Sequence, residues 1–133
     1  MSKAAPFSAS DRSLVLEIGT AHRLVCNLRR HLSPRTVGII TRSLPLSGRV
    51  HRMGQGIVYI RIPVDSGLER VRTDFKEGDV AFLPLAGSIC FFLRDMTFPK
   101  GMTPIGRLMD DGNGAQLLAD AGPGTVLSLR KED

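Results

Sequence analysis

Apolar and polar residues alternate along several short stretches of the chain. In residues 13–18 the leucines and the isoleucine occupy every second position, so they share one face of an extended strand. The same alternation returns in residues 24–28, after a Gly-Thr-Ala turn at 19–21. The pattern predicts an antiparallel β-hairpin at the beginning of the fold.

A helical spacing of apolar residues follows the hairpin, at Val37, Ile40 and Leu44. Ser33 is a favourable N-cap residue, and the proline after it suits the first turn of a helix. A second proline directly after Leu44 is expected to end the element. The sequence therefore predicts a helix over residues 34–44.

The rest of the chain reads as short strands separated by glycine and proline turns. Extended or strand segments are predicted at 48–53, 57–62, 80–83, 89–94, 105–109 and 126–129, with a weaker element at 68–72. Residues 97–102 are predicted as a Pro/Gly loop, and a short helix is predicted near 115–119. Many short strands with two helices predict a mainly β protein built as a closed antiparallel barrel.

Length and composition suit one globular domain, since the chain has 133 residues and 42% of them are hydrophobic. Residues 1–11 are small and polar and are predicted to form a flexible tail before a single domain at 12–133. No apolar run approaches the roughly 20 residues of a membrane-spanning helix, and no secretory signal is evident. Cys26 and Cys90 lie in apolar segments and are interpreted as buried free thiols, which predicts a cytoplasmic protein.

Charge is distributed unevenly along the chain. The net charge is +5, and the first 50 residues carry eight Lys/Arg against two Asp/Glu. Such a basic segment suggests binding of nucleic acid or another anionic partner. No aromatic residue alternates with Arg29, Arg30 and Arg35 to provide a stacking surface. A solvated surface is the preferred interpretation, and nucleic-acid binding remains an alternative.

The sequence gives little support for a metal site or for a catalytic nucleophile. His22 and Cys26 are four residues apart, and on a strand that separation is roughly 13 Å, too far to share one ion. Ser88 does not lie in a Gly-x-Ser-x-Gly elbow, and Cys90 is surrounded by apolar residues. We therefore expect no metal and no cofactor.

Three short motifs carry a resemblance to a known family. Gly78-Asp79-Val80, Phe91-Phe92 and Gly106-Arg107 occur in that order, after the hairpin and the helix. Together they resemble a small prokaryotic cyclophilin-like family without assigned function. The resemblance implies a closed eight-stranded β-barrel with two short helices.

Comparison with catalytic cyclophilins points to specific residues. Arg52 in Val-His-Arg resembles their catalytic arginine, and Phe92 resembles the phenylalanine of their pocket floor. Met102 falls near their loop histidine, while their Phe-Met-x-Gln segment and rim tryptophan have no counterpart. Together with Tyr59, these residues are predicted to line a groove for a small molecule or peptide.

The resemblance thus implies a binding module that lacks most of the isomerase residues. A weak peptidyl-prolyl isomerase that uses Arg52 is the alternative. The oligomeric state is expected to be a monomer or a small homo-oligomer, with no membrane partner.

Overall fold

The computed structural model describes residues 11–109 and 113–132, and these form a mainly β fold with two α-helices. The strands are β1 Asp11–Ile18, β2 His22–Arg29, β3 Leu46–Arg49, β4 His51–Met53, β5 Ile57–Arg61, β6 Arg72–Phe75, β7 Asp79–Leu83, β8 Ser88–Phe92, β9 Met96–Leu108 and β10 Val126–Lys131. The helices are α1 Pro34–Ser43 and α2 Gly114–Ala119, with a 3₁₀ turn at Pro84–Ala86. Of the predicted tail, only Asp11 lies among the described residues, and it begins β1.

All strands pair antiparallel in one sheet, in the order β3-β10-β1-β2-β9-β7-β8-β5-β4, while β6 pairs separately with β9. The prediction of a closed eight-stranded barrel is wrong, because the described residues form ten strands and their path of ladders ends at β3 and β4. The two strands at the ends of this path, β3 and β4, are neighbours in the sequence and are separated only by Val50. The Val50 N–H donates to the Thr125 carbonyl oxygen at 2.8 Å, in register with the β3–β10 ladder.

The prediction of a loop at 97–102 is also wrong, because these residues belong to the 13-residue strand β9. Along its length β9 pairs first with β6, then with β7 and finally with β2. Proline is tolerated in a strand near a bulge, where a ladder N–H is not required. Pro104 pairs with Ala81, directly beside a register shift of the β7–β9 ladder.

The predicted hairpin and both predicted helices are confirmed. Within the hairpin, Leu14 lies opposite Cys26 and Leu16 opposite Leu24, so the apolar residues of both strands share one face. The weak element predicted at 68–72 is irregular up to its last residue, where β6 begins. None of the described helices is long and apolar enough to cross a membrane.

Buried apolar side chains form two clusters on opposite faces of the β5–β8–β7 region. The main core contains Val58, Ile60 and Phe91. The second cluster is built from Ile57, Phe75, Ala81, Cys90, Phe92 and Met102. Alternation along β8 explains the division, since neighbouring residues of a strand point to opposite faces. Both phenylalanines of β8 are therefore buried, one in each cluster.

Candidate functional site

The structure separates Arg52 from the other three residues of the predicted groove. Tyr59, Phe92 and Met102 all belong to the second cluster or pack against it. Arg52 instead pairs across the ladder with Val58, whose side chain lies in the main core. Cross-strand partners share a face of the sheet, so Arg52 lies on the face opposite the other three.

The guanidinium of Arg52 holds the end of α2. Its Nη2 donates to the carbonyl oxygens of Ala119 and Ala121, the latter at 2.8 Å. The last carbonyls of a helix lack partners within the helix, and a cation there also complements the helix dipole. This contact gives Arg52 a structural role that the sequence did not indicate.

Phe92 is covered by the protein itself. The Phe75 ring of β6 stacks on it with a centroid distance of 4.2 Å and an interplanar angle of 11°. Phe92 and Met102 are both 0% exposed. Phe92, which the resemblance placed on the floor of a groove, is therefore packed under the Phe75 ring of β6.

Tyr59 lies half-buried at the edge of the second cluster. Its ring stacks on His51 with a centroid distance of 5.3 Å. The ligand-binding role of Arg52, Tyr59, Phe92 and Met102 stays a prediction, but the four do not line a common opening in this structure.

An open hollow lies beside the second cluster, and we call it the apolar groove. It has a volume of about 440 Å³, within the roughly 300 to 1,000 Å³ of small-molecule sites. Its walls include Asp65, Leu68, Leu83, Leu85, Lys100 and Gly101. Leu85 is 94% exposed and Leu68 is 51% exposed. Exposed leucines grouped around a concave surface are typical of a binding site.

Local backbone geometry presents these leucines to solvent. The 3₁₀ turn at Pro84–Ala86 carries Leu85 outward, and Gly87 ends it in the left-handed conformation with φ 56°, which glycine adopts readily. On the facing wall Gly101 has φ +79°, and a Cβ there would lie 2.3 Å from Cγ1 of Val71. Both walls thus depend on glycine at a specific position.

The loop that bears Leu68 is fastened to α1 through Glu69. Its carboxylate accepts hydrogen bonds from the Thr36 N–H and hydroxyl, both at 2.9 Å, and from the Arg35 N–H at 3.2 Å. Burial by itself would raise the pKa of Glu69, but these hydrogen bonds and the charge of Arg35 together lower it. Glu69 therefore caps the helix from a distant loop.

Ser33, the predicted N-cap residue, does not cap α1 with its side chain. Its hydroxyl instead donates to the Pro104 carbonyl oxygen at 2.7 Å, which ties the start of the helix to β9. The carboxylate of Glu69, 36 positions further along the chain, takes the capping role, and no local sequence signal could have shown it.

Two of the motifs that carry the family resemblance meet in space. Asp79 pairs with Arg107 across the β7–β9 ladder, and their side chains form an ion pair in which Asp79 is buried. Asp79 also accepts the Lys76 N–H at 2.8 Å. These contacts explain the Gly-Asp and Gly-Arg motifs by packing between strands.

Among the residues that the structure describes, the thiols and the acidic side chains form neither a thiolate nucleophile nor a metal site. Burial raises the pKa of both Cys26 and Cys90 to about 12, so neither supplies a thiolate near neutral pH. Their prediction as buried free cysteines is confirmed. Within residues 11–109 and 113–132, no three His, Cys, Asp or Glu side chains group closely enough to hold a metal ion.

Comparisons with known proteins support the fold alone. No protein-family model and no curated protein sequence matches the chain. Among solved structures, McbB in complex with tryptophan superposes with a TM-score of 0.74 at 13% identity over 90% of this chain. The match spans only 44% of the McbB chain.

A second solved structure matches end to end. The hypothetical protein AF2241 from Archaeoglobus fulgidus gives a TM-score of 0.68 at 18% identity, over 96% of this chain and 100% of that one. A small β fold is therefore shared with both proteins, while membership of a cyclophilin-like family is not confirmed.

Proposed function

We propose that this protein is a cyclophilin-like ligand-binding module whose ligand occupies the apolar groove. The observation that carries the proposal is the exposure of Leu85 and Leu68 around a hollow of about 440 Å³. Covering such leucines with an apolar ligand group removes them from water, which is favourable by about 25 cal/mol per Å² of apolar surface. The order of motifs along the chain supports the cyclophilin-like description.

Charges at the groove narrow the class of ligand. Asp65 and Lys100 both line it and are both exposed. A carboxylate and an ammonium beside apolar walls complement a ligand that carries the opposite pair of charges and an apolar group. Free amino acids with large side chains, and short peptides with such a terminal residue, have this chemistry. An apolar amino acid or short peptide is thus the ligand class that fits best.

A neighbouring fold supports this choice of ligand. McbB was solved in complex with tryptophan, an amino acid with an apolar ring system and both charged groups. Because the identity is 13%, the likeness by itself carries no residue assignment. The ligand preference of this chain rests on the groove's own walls.

Binding without catalysis is preferred to isomerisation. Prolyl isomerisation has a barrier of about 20 kcal/mol, and enzymes lower such barriers with several preorganised groups. The one arginine that resembles a cyclophilin catalytic residue, Arg52, donates to carbonyl oxygens at the end of α2. Because these hydrogen bonds occupy the guanidinium of Arg52, they support a binding module over an isomerase. Weak isomerase activity that uses Arg52 is the alternative.

Calorimetric titration with L-tryptophan tests the proposal. Lys100→Gln and Asp65→Asn should each weaken binding about two- to fivefold, as expected for the loss of one exposed charge pair. Leu85→Ser should weaken it about tenfold, because an apolar contact is lost. N-acetyl-tryptophanamide, which lacks both charges, should bind more weakly than tryptophan.

Lys131→Gln is the matched control, since Lys131 is also exposed and lies on β10, away from the groove walls. It should leave tryptophan binding unchanged. If the three groove variants bind tryptophan as tightly as the wild type, or if tryptophan does not bind at all, the proposed function is wrong.

A further inference from the structure

A second concave surface lies against α1 and has different chemistry. It consists of two adjoining hollows that share Arg30 and Arg42. The larger, of about 360 Å³, also includes Pro34, Arg35 and Ile39. The smaller, of about 110 Å³, also includes Arg12, Gly38 and Thr41. We call the two together the arginine cleft.

The cleft concentrates positive charge. Arg30, Arg35 and Arg42 are all exposed, and no Asp or Glu lines either hollow among the described residues. Glu69 lies close to Arg35, but its carboxylate accepts the N–H groups at the start of α1. Three guanidinium groups thus surround one opening without a carboxylate between them.

Gly38 lies next to Arg42 in this arrangement. Glycine inside a helix costs about 1 kcal/mol relative to alanine, so its presence in α1 calls for a reason. A Cβ at Gly38 would lie 3.2 Å from Nη1 of Arg42, tighter than an ordinary contact. The glycine therefore leaves room for the Arg42 guanidinium to lie over the helix, between the two hollows.

Arginine side chains at this spacing suit phosphate. The guanidinium fork binds phosphate through two parallel hydrogen bonds, and a phosphate monoester carries about −1.5 to −2 charges near pH 7. Two such groups, one in each hollow, would carry about −3 to −4 charges opposite Arg30, Arg35 and Arg42. Pro34 and Ile39 add an apolar wall for the organic part of the ligand.

We infer that the arginine cleft binds a small molecule that carries two phosphate groups, with Arg30 and Arg42 between them. Its volume suits a small ligand, and no aromatic side chain lines it to stack on nucleic-acid bases. This site is separate from the apolar groove, so either site can fail without the other.

Titration calorimetry of the full chain at constant ionic strength provides the test, with inorganic pyrophosphate, inorganic phosphate and a short DNA duplex as probes. Pyrophosphate should bind more tightly than phosphate, because it can reach both hollows. The double variant Arg30→Gln/Arg42→Gln should weaken pyrophosphate binding by at least about tenfold, as expected from lost charge-assisted hydrogen bonds. Arg61→Gln, an exposed arginine on β5, is the control and should change nothing.

Gly38→Ala gives a variant that preserves every charge. It should raise the thermal unfolding midpoint, because alanine favours helix, and it should weaken pyrophosphate binding only slightly, because the exposed end of Arg42 has to move by a few tenths of an ångström. Three results would overturn the inference: equal binding of phosphate and pyrophosphate, unchanged pyrophosphate binding in the double variant, or DNA binding that is tighter than pyrophosphate binding and is lost in the double variant. The last would make the cleft a nucleic-acid surface.

Discussion

The second cluster and the apolar groove are neighbouring apolar regions that differ in their exposure to solvent. Leu83 packs against the first and lines the second, and β9 supplies Met102 to one and Gly101 to the other. In the cluster, Phe75 stacks on Phe92 and excludes solvent. In the groove, Leu85 stays 94% exposed. An apolar face becomes a candidate site only where the chain does not cover it.

Truncation of the covered ring should produce the largest effect. Phe92→Ala should lower the free energy of unfolding by about 3 to 5 kcal/mol, as for other buried phenylalanines. Urea denaturation at pH 7 measures this change, with Leu85→Ala as the exposed control. A loss of under about 1 kcal/mol for Phe92→Ala would mean that Phe92 is not a core residue.

Because β2 and β9 approach each other closely at Gly106, replacing this glycine by alanine should also destabilise the fold, though less than Phe92→Ala. A Cβ there would lie 2.1 Å from the Asn27 carbonyl oxygen, so Gly106→Ala should cost about 1 to 3 kcal/mol through overpacking. Gly67, at the groove, has nothing within 4 Å of a built Cβ, and Gly67→Ala should change stability by under about 0.5 kcal/mol. Equal unfolding midpoints for the two variants would contradict the packing described here.

Loss of the hydrogen bonds by which Glu69 joins the Leu68 loop to α1 should have a smaller effect on stability, and this effect should depend on pH. Glu69→Gln should cost about 1 kcal/mol at pH 7, the usual value of a helix cap. The folded state lowers the pKa of Glu69 below its ordinary 4.5, so its stabilisation is complete above that pH and is lost as pH falls through the folded pKa.

Unfolding curves of Glu69→Gln and the wild type should therefore converge below pH 4.5. Glu77→Gln, at an exposed position in the turn before β7, is the control. A stability difference that does not vary with pH would show that the carboxylate charge is not the source.

Changes at the groove should scarcely affect folding. Leu85→Ser and Leu68→Ser alter exposed side chains, so each should shift the free energy of unfolding by under about 0.5 kcal/mol. Thermal melts of the two variants check this. A clear destabilisation would mean that these leucines serve packing, and the contrast with Phe92 would disappear.

Local periodicity predicted the hairpin, both helices and most strands, because alternation and helical spacing are properties of neighbouring residues. It failed at β9, where Pro99 and Gly101 suggested a loop although residues 97–102 belong to a strand that changes partners along its length. It also did not show that Phe92 is covered, because Phe75 lies in a segment that the pattern did not identify as a strand.

Polar contacts between residues far apart in the chain could not be predicted from the sequence either. The resemblance assigned Arg52 to a ligand, but α2 lies far along the chain and takes its hydrogen bonds. Glu69 acquired its role only when the fold brought it to α1. Apolar faces are thus predictable from sequence. Which side chains cover them, and which distant groups bind the polar side chains, depends on tertiary structure.

The central claim, that the ligand lies in the apolar groove and not over Phe92, is tested most directly by amide NMR during titration with L-tryptophan. We predict shift changes at Leu68, Leu85 and Gly101, with the amides of Arg52 and Tyr59 unchanged. Shift changes concentrated at Arg52, His51 and Tyr59, with none at the groove, would contradict it.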